Sequence, residues 1–74
     1  MSSEEYMKEK LWSLLVEIVH ALVMYPTHKA YTRDTILQKK PDISAAELAN
    51  RMNMPLGEAL VILHELEEER EIPT

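Results

Sequence analysis

Seventy-four residues carry eight Lys and Arg against thirteen Asp and Glu, a net charge of −5, with no Cys and a single Gly. A chain this short buries only about 60% of its surface, so one domain with a marginal core is expected, without disulfides or thiolate metal sites. The acidic balance opposes broad nucleic-acid binding, which needs clustered cations to neutralise phosphate.

Leu, Ala, Glu and Met are frequent, which predicts an all-α fold whose stability comes from good helix formers or from association. Charge is uneven along the chain. Residues 28 to 41 carry Lys29, Arg33, Lys39 and Lys40 against Asp34, whereas residues 56 to 74 carry six Glu against Arg70. No apolar run reaches the 18 to 20 or so residues that cross a bilayer. The polar start MSSEEYMKEK is unlike a signal peptide, so a cytoplasmic protein is expected.

Ser2-Ser3-Glu4-Glu5 caps a long first helix, predicted from about 4 to 24 and ending before Pro26. From Leu11 to Tyr25 its polar residues are Ser13, Glu17 and His20, one narrow stripe. A surface helix of a small monomer shows a narrower apolar arc. One side therefore packs on the rest of the chain, and the other needs a partner. We expect a two-fold homodimer with Trp12, Leu15, Val16, Val19 and Val23 in its seam.

Residues 26 to 31 read as a loop. Thr32 is expected to cap a short helix over 33–39, with Ile36 and Leu37 inward and Pro41 beyond it. Ile43 stands where a single bridge residue is expected. Ser44, with Glu47 three residues on, forms a capping box for a helix over 45–52. Asn53, Met54 and Pro55 break that helix, and Pro55 suits the first turn of another, over 56–69. Ala59, Ile62, Leu63 and Leu66 form its inward stripe, leaving Gly57, Val61, His64 and Glu68 opposite, flanked by Glu58 and Leu60.

The order Ile43, Ser44, Glu47-Leu48-Ala49, Arg51-Met52, Met54, Ala59, Ile62-Leu63, Leu66 resembles the helix-turn-helix core of winged-helix regulators such as the MarR-like and TrmB-like families. The resemblance implies a single domain, residues 1–74, with a helix-turn-helix core behind a long N-terminal helix. It also implies a role in transcription regulation, with the 56–69 helix as reader. Two departures qualify it. Glu69-Arg70-Glu71 stands where the family has a Gly, and only Ile72-Pro73-Thr74 follows, so the wing is expected to be missing or truncated. The outward face of the reader offers aliphatics and carboxylates where base edges call for Arg, Lys, Asn, Gln, Ser or Thr.

Chemistry-bearing motifs are sparse. Glu17 and His20 have the Glu-x-x-His spacing of di-iron bundles, but the prolines leave no facing long helices to complete a site. His64-Glu65 begins a metalloprotease-like pattern that Glu68 breaks. No nucleophile with a partner and no phosphate loop is evident, so no catalytic, cofactor or metal residue is assigned and no enzyme activity or small-molecule substrate is expected. Two surfaces remain. Leu56, Leu60, Val61 and His64 are expected to dock a protein partner. Arg33, Lys39, Lys40 and Arg51 would hold phosphates if the partner were DNA. The favoured expectation is a dimeric protein–protein interaction module or regulatory subunit, with a small DNA-binding regulator as the alternative.

Overall fold

The computed structural model describes residues 2–71. Every regular element among them is helical, in the order α1 (Ser3–His20), α2 (Tyr25–Tyr31), a π-helical segment (Thr32–Ile36), α3 (Leu37–Lys39), α4 (Ala45–Met52) and α5 (Leu56–Glu71). The all-α class and the long first helix are as expected, as are α4 and α5. None of these helices is long and apolar enough to cross a membrane. The expected absence of a wing concerns residues beyond 71 and lies outside the described residues.

α1 starts as its sequence dictates, with the Ser2 hydroxyl accepting from the Glu5 amide at 3.1 Å and Glu4 and Glu5 in the first turn. It stops at His20, short of the expected end. The amides of Ala21 and Leu22 bond to Ile18 and Val19, and that of Tyr25 to Leu22, so tight three-residue turns reverse the chain.

The segment expected as a loop is instead helix. Pro26 occupies the first turn of α2, where its missing N–H costs nothing. The helix continues without a break through Thr32, which is not a cap. Its hydroxyl donates to the His28 carbonyl at 2.8 Å, and the residue is fully buried. The Leu37 amide then reaches back five residues to the Thr32 carbonyl, a π-type bond.

α4 and α5 are joined by a tight turn. The Ser44 hydroxyl accepts from the Glu47 amide at 3.1 Å. The reciprocal half of the capping box is absent, because the Glu47 carboxylate faces Lys40 and Arg51 instead. α4 ends at Asn53, whose φ of 54° and ψ of 48° are left-handed, and the Met54 amide bonds back to Ala49. Ile43 makes no bridge. It is buried, with its amide bonded to Lys40.

The core lies between the α3–α4 segment and α5. Ile36, Ile43, Leu48, Met54, Ala59, Ile62 and Leu66 form one cluster, with Leu63 half-buried at its edge. A second apolar layer lies on the side of α5 expected to face outward. There α1 crosses α5, and Val19 and Val61 are both buried. A Cβ on Gly57 would stand 2.9 Å from Leu15 Cδ1, so the Leu15 side chain of α1 packs directly over the α5 backbone here.

Candidate interaction surfaces

The α1–α5 layer corrects the expected seam. Leu15 lies against Gly57, Val19 is buried, and the Trp12 ring meets the His64 ring edge-on with centroids 5.0 Å apart. Trp12, Leu15 and Val16 are all half-buried. Trp12, Leu15 and Val19 thus face α5 within the same chain rather than outward. Val23 is not part of that face. It lies in the turn after α1, 91% exposed. The face of α1 turned away from α5 is the apolar one left open. Met7, Leu11, Leu14 and Ile18 are 53%, 59%, 42% and 62% exposed, at spacings of four, three and four residues.

The α5 surface needs one correction. Val61, expected outward, is fully buried under α1. Glu58, expected on the rim, is 2% exposed. Leu56 and Leu60 are exposed, one turn apart, and His64 follows one turn on. The His64 ring packs on Trp12 and its Nε2 lies 2.6 Å from Glu68 Oε1. An aliphatic ridge with an imidazole at its end is therefore held rigidly by the crossing of α1 and α5, with Glu67 and Glu68 exposed beyond it.

The cations of the expected phosphate-contacting patch are largely engaged within the chain. Arg33 grips Asp34 through Nε and Nη2 at 2.8 and 3.1 Å, which holds the Asp34 carboxyl below its ordinary range. Lys40 and Arg51 converge on Glu47 at 2.7 and 3.4 Å. Lys39 alone of the four has no ion pair among the described residues.

Between α1, α2 and α5 lies a polar seam that the apolar pattern does not announce. Glu65 accepts from His20 Nε2 at 2.6 Å and from the Tyr25 hydroxyl at 2.5 Å, and Lys29 Nζ lies 3.6 Å from it. Lys29 also pairs with Glu69 at 2.6 Å and sits over the Tyr25 ring. Burial pushes the Glu65 carboxyl up, but the bonds from Tyr25 and His20 and the charge of Lys29 outweigh it and hold Glu65 below its ordinary value. Burial and the bond to Glu65 raise the Tyr25 phenol. Burial alone would lower Lys29, but Glu69 and Tyr25 raise it. One turn away His28 Nδ1 lies 2.6 Å from Glu58 Oε2, deep between α2 and α5. The sequence signal for this seam is the basic middle of the chain set against an acidic end.

The Glu17–His20 pair is thus split, with His20 committed to Glu65 and Glu17 exposed. Among the described residues no cluster of three or more His, Asp or Glu is arranged to hold a metal ion.

No protein-family model matches the chain, and no curated protein and no solved structure matches it.

Proposed function

We propose that this chain is a non-enzymatic protein–protein interaction module, and that the exposed ridge of α5 docks its partner. The observation that carries this reading is the exposure of Leu56 and Leu60, 52% and 42%, at the start of α5. A helix that reads bases carries hydrogen-bonding side chains at such positions. Aliphatic anchors with His64 at one end and Glu67 and Glu68 beyond it suit an amphipathic helix with basic residues along its edge.

A second reading is a small DNA-binding regulator. The two helices joined at Asn53, in the order that resembles a helix-turn-helix, favour it. The net charge of −5 and the engagement of Arg33, Lys40 and Arg51 by Asp34 and Glu47 oppose it.

An amide NMR titration with mixed short duplex DNA at low salt separates the two. On the favoured reading the amides of Arg33, Lys39, Lys40, Arg51 and the first turns of α5 stay in place. Salt-dependent shifts at those positions, abolished by Arg51→Ala, would make the chain a DNA binder. Partner-binding assays take Leu60→Asp as the loss-of-docking variant. Val61→Asp is unsuitable, because it places a carboxylate in the α1–α5 layer and unfolds the domain.

A further inference from the structure

The outer face of α1 is built to pair with itself. Glu4, Met7, Leu11, Leu14, Ile18 and Ala21 follow one another at spacings of three, four, three, four and three residues, the 3.5-residue repeat of a coiled-coil seam. All six are exposed, and the four large apolar ones are the exposed hydrophobics of α1's outer face. The α5 contacts of α1 at Trp12, Leu15 and Val19 lie on a different side of the helix, so the seam stays open when the domain is folded. Residues 2 to 11 are exposed on every side, so the first half of α1 stands clear of the rest of the chain. A helical half of that length is marginal in water without tertiary cover.

We infer that two copies of this chain associate through α1 in an antiparallel two-fold pair, with the Met7–Leu11–Leu14–Ile18 seam at its centre and Lys10 of each copy against Glu17 of the other. Three features select a second copy and this direction. First, antiparallel overlay in one register puts Leu11 against Leu14 of the second copy, twice, and Met7 against Ile18, twice, so every large apolar residue meets another. Second, Lys10 and Glu17 lie on the same flank of the seam, one heptad apart and opposite in sign. In that register each faces the other across the two-fold axis. A parallel pair would put Lys10 beside Leu15 of the second copy and set Glu4 against Glu4 in the seam, a like-charge contact. Third, the antiparallel register lays the uncovered first half of each α1 along the domain-supported second half of the other, which supplies the missing cover. The pairing uses no residue of the α5 ridge, so its failure would leave the reading of α5 standing.

Sedimentation equilibrium of the full chain from micromolar to millimolar concentration tests it. A concentration-dependent dimer is expected. Leu14→Lys, at an exposed position, should return the monomer with its helical circular dichroism unchanged. Lys10→Glu and Glu17→Lys should each weaken self-association about tenfold by creating two like-charge contacts. An equimolar mixture of these two variants should restore it. In the mixed pair one copy presents carboxylates at both positions and the other presents ammonium groups at both, so each flank contact again joins opposite charges. Recovery in the mixture would establish the antiparallel register. A strict monomer at all concentrations, or a dimer indifferent to Leu14→Lys, would overturn the seam. A dimer lost in both single variants and not recovered on mixing would overturn the direction.

Discussion

His28 and Glu58 meet across the interface of α2 and α5, Nδ1 to Oε2 at 2.6 Å, and Glu58 is 2% exposed. A carboxylate taken that far from water depends on its partner. His28→Ala leaves it alone, and we expect a loss of about 3 kcal/mol or more, a large share of the stability of a domain this size. Glu58→Gln keeps a hydrogen-bonding group in place and should cost much less. Urea unfolding of the two variants checks the difference.

The Glu65 seam makes the stability of the fold depend on pH at both ends of the range. The Glu65 carboxyl is lowered from its ordinary 4.5, so the folded chain holds fewer protons there than the unfolded one. Its contribution is complete above that value and lost as pH falls through the lower, folded value. Lys29 and Tyr25 are raised from 10.5 and 10.0, so their contributions are complete below those values and lost as pH rises through the folded ones. Urea midpoints against pH should fall on both limbs. Glu65→Gln should flatten the acid limb. An unchanged acid limb in that variant would exclude Glu65 as its source.

Asn53 is the non-glycine residue with positive φ among those described. Asn accepts that conformation better than other side chains, and Gly accepts it at no steric cost. Asn53→Val should destabilise by about 1 to 2 kcal/mol, whereas Asn53→Gly should be neutral or slightly stabilising. Thermal melts with circular dichroism suffice.

Gly57 lies in the middle of opposing effects. Ala there gains about 1 kcal/mol of helix propensity, and the Leu15 side-chain end it meets can swing aside, so Gly57→Ala should be close to neutral. Gly57→Val adds methyls with nowhere to go and should cost about 1 to 3 kcal/mol. A Leu15→Ala background should relieve the Val variant and not the wild type, which a double-mutant cycle reads directly.

The α4–turn–α5 unit is legible in the sequence because its signals are local: the Ser44 cap, the break at Asn53-Met54-Pro55 and the inward stripe from Ala59 to Leu66. α2 is not. Its inner face carries Tyr25, His28 and Lys29, which bond to Glu58, Glu65 and Glu69, and the Tyr25 ring is its one large apolar contact with the core. A search for apolar periodicity cannot find such a helix. The two faces of α1 are exchanged in the sequence reading for a related reason. Both are apolar, and spacing alone does not say which one α5 covers. The single Gly is the cue, since its position on α5 marks where another helix comes close. Val61 is misplaced with it, because α1 lies on the side of α5 that the pattern leaves open.

The π-helical turn at Thr32 to Ile36 inserts one residue beyond what an α-helix would hold. One residue is about 100° of rotation, so all that follows is turned relative to what precedes. Upstream, the helix aims Tyr25, His28 and Lys29 at the acids of α5. Downstream, it aims Ile36 into the aliphatic core. A straight helix with this sequence would satisfy one of these orientations and miss the other. The turn acts as a fixed phase shifter between a polar lock and an oily one. Deleting a single residue within it would therefore leave plain α-helix with both halves still aimed as they are, whereas a deletion elsewhere in the same helix would misalign a whole half of the molecule.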